Sequence, residues 1–310
     1  MHNFADRLIE SIRRKKSCVC VGLDPRLDLI PDEIKHNLAA KNLTVLPCQA
    51  IYEFNKAIID IIKDDVVAVK PQSAFYEQYH AEGVKCFFDT MDYARQKGLI
   101  VIADVKRSDI ASTAEAYAKT FLKDSPADAI TVNPYLGIDS LEPFIKLCDE
   151  QGKGLFVLVK TSNPGSNDFQ DALLKDNRKL YELVAEKVGD AGKKLRGKEG
   201  YSSVGAVVGA TFPAEAKAIR QLMPKAIFLV PGYGAQGAKA ADLKDYFNKG
   251  GLGALINAAR SITYAYGAKQ YTSSATPISI GVKEPKATNW QDAIKQAVKE
   301  MNKEINGVIR

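Results

Sequence analysis

Histidine is nearly missing from this chain. His2, His36 and His80 are the only three in 310 residues, and none closes a strand-like run, which argues against a hydrolase built on a nucleophile–histidine pair. Cysteine is sparse and odd in number, five residues at 18, 20, 48, 86 and 148 with no CxxC spacing. Neither a disulfide scaffold nor a zinc knuckle is implied, and a reducing cytoplasm is the expected setting. No apolar run is long enough to span a membrane. The N-terminal stretch has helical spacing at Phe4, Leu8 and Ile12 but lacks the apolar core and cleavage site of a leader peptide. Neither sign of charge dominates: 43 basic against 37 acidic residues leave a net +6. That excess suits an anionic small molecule at least as well as nucleic acid, and no nucleic-acid or membrane partner is expected. The one short basic cluster, Arg13-Arg14-Lys15-Lys16, reads as a solvated helix face.

Short apolar runs recur eight times, over 17–22, 65–69, 99–103, 128–132, 155–159, 204–209, 226–230 and 252–256. They are rich in Val, Ile and Leu and hardly alternate in polarity, the pattern of parallel strands buried on both faces. Helical periodicity separates them over 49–62, 77–96, 110–122, 141–148, 172–188, 214–222 and 239–247. A last helix over 290–305 follows Asn289, a good N-cap. Segments 24–46, 163–171, 196–203 and 268–288 read as long connectors without a domain boundary. Eight like units predict a single α/β domain over 1–310, a (β/α)8 TIM barrel, in preference to an open doubly wound sheet.

Barrel chemistry gathers at the C-terminal ends of the strands. Here those ends read Gly22-Leu23-Asp24, Lys70-Pro71, Asp104-Val105-Lys106, Asn133-Pro134, Lys160-Thr161-Ser162-Asn163, Gly209-Ala210-Thr211, Pro231-Gly232-Tyr233-Gly234 and Asn257-Ala258-Ala259-Arg260. A single lysine closing a buried strand usually snorkels to solvent, and Asp109, at the start of the next helix, could simply cap it. Two lysines and two aspartates converging on one mouth weaken that reading. Asp104 and Lys106, two apart, share a side of their strand. Opposite charges in contact attract by roughly 4 kcal/mol at an effective dielectric near 20, so flanking aspartates would keep Lys106 protonated as a general acid. A substrate carboxylate set against Asp104 would meet a like charge that loss of CO2 relieves.

The stretch Pro231–Gly237 also matches GxGxxG through Gly232, Gly234 and Gly237. It sits at the seventh strand rather than the first, the strand that follows closes in Asn257 rather than an acidic residue, and no Walker Lys-Ser/Thr follows. A phosphate grip remains, with backbone amides near Gly232–Gly237 and at Ala259-Arg260 and the Arg260 guanidinium facing the anion.

These motifs together resemble the orotidine 5'-phosphate decarboxylase family, and its longer subgroup in particular. The run Asp104–Asp109 has the family's DxKxxD form. The order of Gly22-Leu23-Asp24, Val69-Lys70-Pro71, Thr161-Ser162-Asn163-Pro164-Gly165, Val230–Gly237 and Asn257 through Ile262 is similar across most of the chain. The resemblance implies decarboxylation of orotidine 5'-monophosphate (OMP) to UMP and CO2 in de novo pyrimidine synthesis, with no cofactor and no metal. Lys106, Asp104 and Lys70 would form the charged array, with Lys106 protonating C6. Asp109 would complete the array of a neighbouring subunit in a homodimer with shared active sites. Asp24 and Lys70 would contact ribose hydroxyls, as would Asp109 and Thr113 from the partner. Ser162 would read the pyrimidine. Gln236 and Arg260 would hold the phosphate, with Pro231, Gly232, Gly237, Asn257 and Ala259 lining the substrate site. Many members carry Gly where this chain has Ala259.

Two other classes compete with this reading. A magnesium-dependent sugar-phosphate decarboxylase or aldolase of the same superfamily needs an acidic residue at the end of strand two, where Lys70 would repel a cation. A non-catalytic nucleotide-phosphate binder would be expected to have lost Lys106 or Asp104, and both are present.

Overall fold

The computed structural model describes residues 3–40, 46–234, 237–267 and 289–309. Its strands are β1 (Val19–Leu23), β2 (Ala68–Pro71), β3 (Ile100–Arg107), β4 (Ala129–Val132), β5 (Gly154–Lys160), β6 (Ser202–Val208), β7 (Ala226–Pro231) and β8 (Ala254–Ala258). All neighbours pair in parallel and β8 closes on β1, giving an eight-stranded barrel. Every strand anticipated from apolar runs is present, shifted by at most a few residues at its ends. The helices are α1 (Phe4–Lys15), α2 (Asp32–Ala40), α3 (Pro47–Ile62), α4 (Ala74–Glu77), α5 (His80–Gln96), α6 (Ala111–Ala118), α7 (Glu142–Gln151), α8 (Leu180–Ala191), α9 (Pro213–Leu222), α10 (Arg260–Thr263) and α11 (Trp290–Ile309). None among the described residues is long and apolar enough to cross a membrane.

Two apolar layers result from the period-two alternation of the strands. The outward-facing residues, among them Val19, Val21, Val69, Val101 and Val157, pack under the helices. The inward-facing set is Cys20, Ala68, Ile100, Ile102, Ala129, Phe156, Val207, Leu229 and Leu255, and it meets Phe4, Leu8, Ile9 and Ile12 of α1. Helix α1 therefore plugs the N-terminal end of the barrel. The Phe4 ring meets Phe156 edge-on at 5.9 Å, and a side chain at Gly154 would strike that ring at 2.3 Å. Each buried apolar side chain of α1 contributes roughly 1.5–3 kcal/mol. Asn3 caps the helix through its side-chain oxygen, which accepts from the Ala5 amide at 2.8 Å.

Several local expectations differ from the structure. Segment 24–46 is not an unbroken connector, because α2 lies within it with Ile34 and Leu38 buried. Helix α8 starts at Leu180 rather than near 172; residues 173 and 179 form an antiparallel bridge, and Asn177 turns at φ 62°. The stretch anticipated as a helix over 239–247 is a 3-10 helix, Ala240–Tyr246, and α6 widens into a π turn at Lys119–Lys123. Lys15 is not purely a solvated residue: its ammonium donates to the Lys63 and Val66 carbonyls at 2.5 and 2.8 Å. Asn289 does cap α11, accepting from the Asp292 amide at 2.8 Å.

Candidate active site

The alternation that builds the barrel interior also builds its mouth. Lys70 lies two residues beyond inward-facing Ala68, Asp104 two beyond Ile102, Thr131 two beyond Ala129 and Asn257 two beyond Leu255. Each continues its strand's inward face one layer higher, at the C-terminal rim where barrel sites form. Polar side chains thereby cap an apolar shaft, and burial makes any partner they lack costly.

Asp104 is the hub. Its Oδ2 accepts from Lys70 Nζ at 2.7 Å and from Gln72 Nε2 at 3.2 Å, and its Oδ1 from Lys106 Nζ at 2.6 Å and the Thr131 hydroxyl at 2.8 Å. The Lys70 and Asp104 side chains are only 6% and 8% exposed, whereas that of Lys106 is 43% exposed. Burial alone would raise the Asp104 carboxyl, but the two ammonium groups outweigh it and hold it well below the usual carboxylate range. Burial likewise works against the charge on Lys70, yet Asp104 and Asp24 raise it above an ordinary lysine. The outcome is a fixed carboxylate with one sealed and one solvent-reaching ammonium.

Lys106 is not placed by regular strand geometry. Its φ is 46°, a left-handed conformation costing about 1–3 kcal/mol at a non-glycine residue. The β3–β4 register shifts between Ala103 and Arg107. The strained turn is held by the Lys106 amide donating to Thr131 Oγ1 at 3.0 Å, and it aims the side chain back at Asp104. Thr131 and Gln72 escaped the sequence reading, although both continue inward-facing rows (129, 131 and 68, 70, 72) that could have revealed them.

Asp24 stands at the end of β1 beside this hub. The Tyr76 hydroxyl donates to the Leu23 carbonyl at 3.1 Å, and the Tyr264 hydroxyl accepts from the Arg26 amide at 2.6 Å, so the chain is held on both sides of it. Desolvation raises the Asp24 carboxyl despite the pull of Lys70. Its Oδ1 and the Oδ1 of Asn257 are buried with no hydrogen-bond donor, so both are open to donors from a ligand. A cleft of about 1020 Å3 opens next to the array and is lined by Asp24, Phe75, Tyr79 and Arg260 among others.

The glycine segment follows β7 as anticipated. Gly232, Gly234 and Gly237 take φ values of 104°, 71° and 91°, which only glycine adopts without strain. Pro231 and Gly232 are half-buried and Gly237 is exposed, while Gln236 lies outside the described residues. Arg260 is exposed at the start of α10. The Ala259 methyl packs where a side chain at Gly22 would otherwise sit, since a Cβ there would lie 2.6 Å from it. Gly22 thus provides the room for alanine at 259. Ser162, half-buried after β5, packs its Cα and Cβ against Gly209, where an added Cβ would come within 2.7 Å.

Asp109 and Thr113, expected to serve a neighbouring subunit, make no side-chain bond to the array of their own chain. Asp109 does not cap α6; its Oδ1 accepts only the next amide, that of Ile110, at 2.8 Å, and the cap residue Ile110 gives no side-chain bond. A cap needs its acceptor over the second or third helical amide, which Asp109 lies too far upstream to reach. Thr113 is exposed on α6. Ile110, Tyr135 and Leu136, on the segments after β3 and β4, are also exposed.

The fold and the site define a class: a (β/α)8-barrel enzyme whose rim carries a lysine–aspartate array. The chain belongs to the orotidine 5'-phosphate decarboxylase / HUMPS family, whose sequence profile matches residues 17–273. It is 46% identical over 290 residues to an orotidine 5'-phosphate decarboxylase of Caldicellulosiruptor bescii, covering 88% of this chain and 93% of the relative. A Rhodopirellula baltica protein of the same name is 42% identical over 314 residues, covering 99% and 100%. Among solved structures, the Leishmania donovani OMP decarboxylase superimposes with a TM-score of 0.74 at 34% identity, covering 99% of this chain and 98% of that one.

Proposed function

We propose that this chain converts orotidine 5'-monophosphate to UMP and CO2 without a cofactor, as its family and its named relatives support. The observation that carries the reading is Asp104, a buried carboxylate held ionised between Lys70 and Lys106. With the pyrimidine over the barrel mouth, the substrate carboxylate lies against Asp104 and is repelled by it. The bond from C6 to the carboxyl carbon breaks, CO2 departs, and the electron pair stays on C6. The Lys106 ammonium stabilises that developing charge and delivers its proton to C6. Solvent then reprotonates Lys106, whose side chain is the exposed member of the array.

The remaining residues hold the ligand. Asp24, with its donor-free Oδ1, accepts from a ribose hydroxyl, next to Lys70. Ser162 reads the pyrimidine, and Asn257 offers a second buried acceptor. Gln236 and Arg260, with amides of the Pro231–Gly237 turn and Ala259, grip the phosphate. Asp109 and Thr113 act in the site of a second copy. The exposed apolar Ile110, next to Asp109 in the chain, and Tyr135 and Leu136 after β4 are side chains of the kind a homodimer would cover.

The test is direct: add orotidine 5'-monophosphate in the presence of EDTA and follow its ultraviolet absorbance. A fall in absorbance that is abolished by Lys106→Ala, with UMP binding still measurable, is the expected result. Absence of turnover until magnesium is restored would overturn the proposal in favour of the metal-dependent relatives.

A further inference from the structure

Lys160 closes β5 much as Lys70 closes β2, yet no step above uses it. Its side chain is wholly buried, at 0% exposure. Strict alternation after Phe156 and Leu158 would turn Lys160 into the barrel mouth. The β5–β6 register slips between Leu158 and Lys160, and the side chain is enclosed by the loops that follow β5 and β6. There its ammonium lies 4.6 Å from the Phe212 ring centroid and 5.7 Å from that of Tyr181.

A buried ammonium persists only where it is paired, and the partners here all belong to the segment leading to α8. Lys160 Nζ donates to Asp171 Oδ2 at 2.9 Å and to Asn167 Oδ1 at 3.2 Å. Asp171 is also flanked by Lys179 Nζ at 3.3 Å. The base of the same segment is laced by Gln170, whose side chain accepts from the Thr161 amide and donates to the Thr161 hydroxyl, both at 2.9 Å. The segment has little apolar anchorage of its own: Phe169 and Leu173 are 68% and 70% exposed. Charge and hydrogen bonds converging on Lys160 hold it in place, and Ser162 lies at its start.

We infer that Lys160 is a positioning residue for substrate recognition: its buried ammonium ties residues 161–171 into a fixed loop and so sets Ser162 over the pyrimidine site. The inference rests on the reading of Ser162 given above. It assigns segment 163–171 the role of a preset wall of the pocket.

Two ligands separate this role from a general structural one. UMP carries the ring that Ser162 meets; ribose 5-phosphate lacks it and reports only the ribose and phosphate contacts. In Lys160→Met, UMP affinity and KM for orotidine 5'-monophosphate are expected to weaken about 10-fold, the cost of one misplaced polar contact. Ribose 5-phosphate affinity stays at the wild-type value, and amide exchange over 161–171 quickens. Asp171→Asn, which keeps the lysine, gives the same pattern in smaller measure and serves where Lys160→Met does not fold. Equal weakening of both ligands, or unchanged UMP binding together with faster exchange, overturns the positioning role. Wild-type protein that binds ribose 5-phosphate but neither binds UMP nor turns over the substrate overturns the underlying reading of Ser162 instead.

Discussion

Replacing Lys70 by methionine probes whether the rim array stabilises the fold or strains it. Methionine nearly matches the length of lysine and removes the charge together with the hydrogen bond to Asp104. At an effective dielectric near 20, ions 2.7 Å apart, as Lys70 Nζ and Asp104 Oδ2 are, attract by about 6 kcal/mol. Much of that offsets the cost of taking both groups out of water. Deleting one partner of such a pair typically costs ~3–5 kcal/mol, because the other charge is left buried. Asp104 keeps Lys106, Thr131 and Gln72, so the loss falls at the lower end, about 3 kcal/mol. Unfolding entropy near 2.1 cal/mol/K per residue makes this a fall in Tm of roughly 5 °C for a chain of this length.

The decisive arm is Lys70→Met combined with Asp104→Leu. If the array exists for chemistry, removing both buried charges restores stability to the wild-type level or above it, and Lys106 turns to solvent, where it is already half exposed. Urea denaturation of the ligand-free protein measures both variants. A double variant as unstable as the single one would refute the reasoning. The pH dependence is a second check with a fixed sign. The depressed Asp104 pKa gives stability that is present above its unfolded value, about 3.9, and lost as pH falls through the folded one. The raised Lys70 pKa gives stability that is present below about 10.4 and lost as pH rises through its folded value. The deficit of Lys70→Met should therefore be flat between about pH 5 and 9 and shrink in acid and in strong base.

Asp24 should behave in the opposite sense. Its carboxyl is raised by burial, so the fold loses stability as pH climbs from about 3.9 through the folded value and stays lower beyond it. Asp24→Asn should abolish that slope and weaken UMP binding about 10-fold; calorimetry across pH that finds the slope unchanged refutes it. Shared sites predict complementation: mixing and re-equilibrating inactive Asp109→Asn and Lys106→Ala dimers should return about a quarter of wild-type activity, since half of the dimers then carry one intact site. A mixture that stays inactive while subunit exchange is demonstrated places Asp109 in its own chain's site.

What could be read from the sequence follows from one physical code. Strands buried on both faces leave continuous Val, Ile and Leu runs, which is why all eight were legible. Because side chains alternate with period two, Lys70 and Asp104 were legible as the next rung on rows begun by Ala68 and Ile102. Thr131 and Gln72 obey the same rule and were available to it. Where another force sets the backbone the code gives out. Helix α2 buries only Ile34 and Leu38, too weak a stripe to announce itself. The 172–179 stretch has helical spacing, but the antiparallel bridge between Leu173 and Lys179 claims its backbone.

Lys70 and Lys160 mark the limit most sharply. Both end an apolar strand and both lie almost wholly out of solvent, and no local pattern distinguishes them. One faces a carboxylate in the barrel mouth and the other a carboxylate beneath a loop. The register also slips between Leu158 and Lys160, a feature of how β5 meets β6, some forty residues away in the chain. A strained turn does similar work at Lys106, whose left-handed φ returns to Asp104 a side chain that ordinary alternation would also have placed nearby, but without fixing its aim. Strand parity thus decides which residues reach the rim, while bulges and strained turns decide what they do there. Parity is written in single residues and can be read from them; bulges depend on pairs of strands and need the fold.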